Sequence, residues 1–270
     1  NRRIVNYVTV IATPKRGKRT SKLVCSLTEI TLVTKHIDKE KIKVSANHTQ
    51  RLLSVYHTLE NCHGPQHWWP GDSPFEVMAG AVLTQNTAWG NVEKAITNLK
   101  AAGCLDPDRI GALSLTDLAG LIRPSGYFNV KAKRLQQLCL WYAEQGAHRR
   151  LSRLDTASLR DALLRVHGIG PETADDIVLY AFDRPVFVID AYTRRIFSRL
   201  EIFPADLPYE TLRAGFEQAL PADTELFNEY HALIVRHGKE ICRKRPRCDL
   251  CCLRWICINS DSSTVSSGSN

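Results

Sequence analysis

The chain has 270 residues, 44% of them hydrophobic, which is enough apolar material for one large core or two modest ones. Nine cysteines, an odd number with five of them inside segment 242–257, argue against a secreted disulfide framework and for a reducing compartment; no apolar run is long enough to cross a bilayer. The net charge of +8 lies in residues 1–50, with 11 Lys/Arg against 3 Asp/Glu. Residues 51–270 balance at 25 of each, so the charge of the main body does not by itself imply a polyanionic partner.

Residues 1–49 form a basic extension, rich in Val, Ile, Thr and Lys, that reads either as a disordered arm or as a small addition to the fold. Its start, Arg2-Arg3 before an apolar run, bears a faint likeness to a signal peptide, but Asn6, Tyr7 and Thr9 interrupt the run. The basic patch Pro14–Lys22 is better explained as solvated surface than as a binding site. From about residue 50 to 258 the pattern is helical. Ser73-Pro74-Phe75-Glu76 combines a capping box with proline at the first helical position, and Phe75, Ala79, Val82 and Leu83 continue an apolar face. A second helix is predicted from Asn91 to a stop at Gly103, a third over about Ser114–Ile122, and a fourth over about Asn129–Glu144 after a turn at Pro124-Ser125-Gly126. The serine-rich segment 259–270 has the composition of a disordered tail.

Leu159, Ala162, Leu163 and Val166 repeat at helical spacing, as do Ala174, Ile177, Val178 and Ala181. Only His167-Gly168-Ile169-Gly170 separates the two predicted helices, with Pro171 opening the second. Glycines let such a hairpin turn tightly and bring backbone N–H groups close to a phosphate. Gly168, Ile169 and Gly170 are therefore candidate DNA contacts, against mere helix packing. Glu172, Asp175 and Asp176 at the start of the second helix oppose that reading, because they would weaken phosphate attraction.

Near the C-terminus, Cys242, Cys248, Cys251 and Cys257 stand as C-x5-C-x2-C-x5-C among five basic residues. Thiolates packed this closely suit a [4Fe–4S] cluster; a four-thiolate zinc site is the alternative, and buried free thiols the plain one.

A helix-hairpin-helix, an apolar stretch Pro185–Ile189 ending in Asp190, and a four-cysteine loop, in that order, resemble the endonuclease III superfamily of DNA glycosylases over residues 50–258. The resemblance implies an all-α fold of two helical domains flanking a DNA-binding cleft. These are a six-helix barrel over 66–184 and an iron–sulfur domain built from 50–65 and 185–258. It makes Asp190 catalytic; the plain reading is a helix N-cap. The family's bifunctional members use a lysine at the position of Glu172, and a carboxylate cannot form an imine, so a monofunctional DNA N-glycosylase without AP lyase activity is expected. The cysteine spacing departs from endonuclease III by one residue in the first gap. Cys252 beside Cys251 offers a rival thiol, though the spacing matches better with Cys251.

Trp68-Trp69-Pro70, with Gln85-Asn86-Thr87-Ala88-Trp89 downstream, resembles the 3-methyladenine glycosylase branch of the same superfamily. The resemblance has Trp68 and Trp89 sandwich the flipped base, Trp69 and Pro70 wall the pocket, Gln85 fill the gap in the duplex and Tyr127 act as the wedge. Tyr192 is a further pocket candidate, against simple packing. A cationic alkylated adenine would gain from aromatic faces, whereas an oxidised pyrimidine would want polar edge readers. The expected partner is damaged double-stranded DNA, bound by a monomer without membrane involvement, in the cytoplasm and on the nucleoid. Two rivals remain: an endonuclease III-type pyrimidine glycosylase/AP lyase, and a non-catalytic iron–sulfur DNA-binding module.

Overall fold

The computed structural model describes residues 46–68 and 71–258, and among them it is helical with no strand. The basic extension before residue 46 and the tail 259–270 lie outside the described residues. The first helix, α1 (Ala46–His63), ends at Gly64, whose φ of 70° terminates it. In α2 (Pro74–Leu83), Ser73 caps the Glu76 N–H at 3.2 Å and every residue from Phe75 to Leu83 is buried. A helix apolar all round belongs in a core, and α2 packs against α3, α6 and α9.

Helix α3 (Trp89–Ala101) starts two residues before the expected Asn91 and stops at Gly103 as anticipated. An unforeseen α4 (Pro107–Ala112) follows, capped by Asp106 in front of Pro107; the cap and the proline are in the sequence, but six residues are too few to show periodicity. Ser114 then caps α5 (Leu115–Leu121), a 3₁₀ turn covers Arg123–Ser125, and α6 (Phe128–Glu144) and the short α7 (Ala147–Leu151) complete this group.

The hairpin helices are α8 (Thr156–Leu164) and α9 (Pro171–Asp176), the latter continuing as a buried π-helical turn over Ile177–Ala181. The connector is longer than the four residues read from the sequence, because α8 ends at Leu164; Val166 and Ile169 stay buried, and Val166 mimics helical periodicity without helical backbone. Beyond an extended segment come α10 (Ala191–Arg199), α11 (Tyr209–Ala219) and α12 (Thr224–Glu240). Helices α1 and α10 pack on α12 around Phe187, Phe197, Phe216 and Tyr230, with the Phe187 and Phe216 rings stacked at 4.2 Å. Tyr230 Oη donates to the Leu52 carbonyl at 2.8 Å and ties α12 to α1. No helix among the described residues is long and apolar enough to cross a membrane.

Segment 186–189 is buried and extended, yet has no neighbouring strand among the described residues to satisfy its amides. Side chains of α11 do so instead. Glu217 accepts from Phe187 N at 3.0 Å, and Tyr209 Oη lies 3.4 Å from Ile189 N. Tyr209 Oη also donates to Asp175 at 2.8 Å. Asp175 is fully buried and forms a two-pronged ion pair with Arg160 of α8, which also reaches Glu210 at 2.7 Å. The hairpin, α11 and the segment leading to Asp190 are thus one hydrogen-bonded unit. Removing Asp175 leaves Arg160 with only the half-exposed Glu210 and Tyr209 Oη without its acceptor, and breaking a buried pair costs about 3–5 kcal/mol. Asp175→Ala is expected to lower the urea unfolding free energy by about that much, while Asp249→Ala in the exposed cysteine loop leaves it nearly unchanged.

Candidate active site

Asp190 is the N-cap of α10, so the plain structural reading holds: Oδ1 accepts from Thr193 N at 2.7 Å and from Thr193 Oγ1 at 2.8 Å. The cap uses one oxygen only. Oδ2 faces Nε2 of His231, a buried α12 residue, at 3.7 Å, too long for a hydrogen bond and close enough for a strong charge interaction. His231 Nδ1 is fixed by Tyr180 Oη at 2.6 Å, and its Nε2 has no hydrogen-bond partner. Burial opposes the charge on both groups. Their mutual attraction, joined by the Thr193 donors, overcomes it: Asp190 is held below the usual carboxylate range and His231 above the usual imidazole range. Two further carboxyls feel the same histidine. Burial and the Asp190 charge raise Glu172; burial raises Asp176 well above its normal value. Of these three carboxyls, Asp190 alone is pushed toward the anion.

Trp68 packs beside this group, its ring 5.9 Å from His231 at a shallow 31° and 5.7 Å from Tyr180. Trp89 meets Trp68 at 6.1 Å, but edge to face at 86°. In this arrangement no slot lies between parallel faces, so a base sandwiched by the two indoles enters only as they part. Trp69 and Pro70 lie outside the described residues. Tyr192 packs against Gly238, where an added Cβ would come 2.5 Å from its ring, and under Arg195 at 5.0 Å.

Gln85 reaches the hairpin: its Nε2 donates to the Gly168 carbonyl at 3.1 Å and to Thr173 Oγ1 at 3.0 Å, while Arg134 donates to its Oε1. Gly168 has φ 89°, and a Cβ there would come 2.3 Å from the Arg134 side chain, so both conformation and space require glycine. The expected carboxylate repulsion at the hairpin is relieved in part, since Asp175 is turned into its ion pair and Glu172 and Asp176 sit in the field of His231. Tyr127 is 70% exposed and holds a left-handed φ of 45° at the head of α6, so it is not covering a small core. Sequence reading missed His231, Arg134 and Lys131. Lys131 is buried and donates to the Leu83 carbonyl at 2.9 Å and the Ser125 carbonyl at 2.6 Å, and burial lowers its amine to about 8.

The four cysteines follow α12: Cys242, Cys248 at a 3₁₀ turn, Cys251, and Cys257 after a second turn. Burial pushes the Cys251 thiol up to about 11, and Cys242, Cys257 and Cys248 lie close enough to add to that rise. Arg199 donates to Cys242 Sγ at 3.2 Å and to the Arg243 and Lys244 carbonyls, anchoring the loop to α10.

The profile of the HhH-GPD superfamily of base excision DNA repair proteins matches residues 79–222, from α2 through the hairpin and Asp190 to α11. The chain belongs to that superfamily. A putative DNA repair glycosylase of Methanocaldococcus jannaschii is 44% identical over 216 residues, which cover 79% of this chain and 98% of that protein. An endonuclease III–DNA complex has the same fold, with a TM-score of 0.69 at 22% identity over 80% of this chain and 97% of the other. The H. pylori 3-methyladenine DNA glycosylase bound to 1,N6-ethenoadenine matches with a TM-score of 0.57 at 29% identity, over 72% of this chain and 97% of that one. As an HhH-GPD protein this is a base-excision DNA glycosylase.

The Asp190–His231 pair sets a pH signature. His231, raised in the fold, contributes stability that is full below its ordinary 6.5 and is lost as pH rises through the higher folded value. Asp190, lowered in the fold, contributes above 3.8 and loses that contribution as pH falls through its folded value. The melting-temperature gap between the parent protein and His231→Ala is therefore expected to be widest near about pH 5–6 and to narrow by about pH 9, measured by circular dichroism.

Proposed function

We propose that this glycosylase is monofunctional: it flips an alkylated purine such as 3-methyladenine from double-stranded DNA, hydrolyses its N-glycosidic bond and leaves an abasic site. The observation that carries the reading is the pairing of one ionised carboxylate, Asp190, with an aromatic wall of Trp68 and Trp89, in a place where the lysine of imine-forming members is replaced by Glu172. The likeness to the H. pylori enzyme supports the same substrate class.

The chemistry follows from the charges. As the bond between C1′ and the base breaks, positive charge develops on the sugar and Asp190 Oδ2 stabilises it. Water supplies the oxygen that bonds C1′, and its proton passes to Asp190. A cationic base leaves neutral, so no strong acid is needed on it. Aromatic faces favour such a base over a neutral one. Lys131 is no substitute amine, since two carbonyls hold it. Tyr127 is the wedge and Gln85 the gap filler; the Gly168-Ile169-Gly170 turn takes a phosphate of one monomer's DNA, between lobes formed by 66–184 and by 50–65 with 185–258.

Cys242, Cys248, Cys251 and Cys257 would hold a [4Fe–4S] cluster, which supplies a rigid cross-link shaping the loop. The donor set fits: the thiols share one neighbourhood and Arg199 donates to Cys242 Sγ, a contact that favours an anionic cluster. That loop presents Arg254 over Trp255, which is 85% exposed, as a surface for DNA.

Methylated DNA tests the reading. The parent protein should release 3-methyladenine and break strands only after alkali, and Asp190→Asn should lose release by at least about 100-fold. Borohydride should trap no covalent complex with the parent. Direct nicking of DNA carrying oxidised pyrimidines, without release of alkylated bases, would overturn both the substrate and the monofunctional assignment. DNA binding without any base release would favour the non-catalytic module. Purified protein should be brown and absorb near about 400 nm if iron rather than zinc fills the four-cysteine site.

A further inference from the structure

The four-cysteine assignment leaves Cys252 unused, and it does not stand alone. Cys62 and His63 are the last two residues of α1, and the fold brings them to the cysteine loop. One donor atom from each of Cys62, His63 and Cys252 lies within 4.8 Å of the other two. A tetrahedral zinc with about 2.3 Å bonds to sulfur needs its ligand atoms about 3.8 Å apart, so side-chain adjustments of an ångström close the site. Two sulfurs and an imidazole form a donor set suited to zinc and poor for magnesium or calcium. The support behind the ligands also fits. His63 Nε2 lies 3.0 Å from Nδ1 of the buried His237, so a metal on His63 Nδ1 would leave that bond intact, in the way ligating histidines are held by their second nitrogen. Buried Leu253 follows Cys252 directly and anchors its backbone.

We propose that Cys62, His63 and Cys252 form a second metal site, separate from the four-cysteine site, that takes one zinc ion and clips the end of α1 to the cysteine loop. Cys62 is exposed, so the fourth position opens to solvent. The two sites are near neighbours: His237 Nε2 lies 3.5 Å from Cys251 Sγ, which makes His237 a shared support.

Metal content tests this independently of any enzymatic activity. Protein grown with zinc, purified with its iron and dialysed should carry about one zinc per chain beside about four iron. Cys62→Ser and His63→Ala should each reduce zinc to background while iron and the visible absorbance stay at parental levels. Loss of iron in Cys252→Ser but not in Cys251→Ser would mean that Cys252 belongs to the cluster and would overturn the proposal. So would zinc at background in the parent, zinc retained in the Cys62→Ser and His63→Ala variants, or a parent mass two daltons low from a Cys62–Cys252 disulfide.

Discussion

The buried pair between Arg160 and Asp175 is the interaction on which the site depends. It lies where two helices of the hairpin meet α11, and its neighbours extend the same network. Segment 186–189 must cross the core without a strand beside it. Its amides would be costly to bury unsatisfied, and Glu217 and Tyr209 supply the missing acceptors. The polar groups that hold the hairpin therefore also set the height at which Asp190 emerges. A buried ion pair is weak evidence for net stability; here its use is registry, because it couples the glycine turn of the hairpin to Asp190, the proposed catalytic carboxylate.

Asp190 gains its character from a division of labour among like groups. Glu172, Asp176 and Asp190 share one region, and three neighbouring anions in a partly dry site cannot all persist. Thr193 donates two hydrogen bonds to Asp190 and none to the others, and His231 faces it. The anion therefore settles on Asp190. The N-cap and the proposed catalytic role are not rivals, since the cap itself lowers the carboxylate's pKa and spares the second oxygen.

Much of this was legible in the sequence. Pro-opened helices, the glycine hairpin and the apolar run into Asp190 are local signals with local causes, and they fell close to where the chain forms them. What was not legible depended on distance. His231 stands on a helix where, by spacing, it is one more core residue; only the fold brings it to Asp190 and Trp68. Lys131 reads as an exposed helical lysine and is buried. The tryptophan pair was found, but its mutual angle is set by Tyr180, His231 and Gly80, which lie elsewhere in the chain. Val166 misled for a physical reason: a buried loop residue obeys the same apolar preference as a helical one.

Helix α6 accounts for how Tyr127, Gln85 and the glycine turn keep their spacing. Tyr127 stands at its head in a strained left-handed conformation, which surrounding structure must impose. The Lys131 amide donates to the Tyr127 carbonyl, and its amine pins the Ser125 and Leu83 carbonyls on either side. One helical turn later, Arg134 holds Gln85 and covers Gly168. Residues i and i+3 lie on the same face of a helix, so α6 acts as a ruler between Tyr127, Gln85 and the glycine turn, the proposed wedge, gap filler and phosphate site. A buried lysine without a carboxylate partner is a cost to the fold. The cost is offset by what the amine gathers: the Leu83 and Ser125 carbonyls, one on each segment that leads into Gln85 and Tyr127.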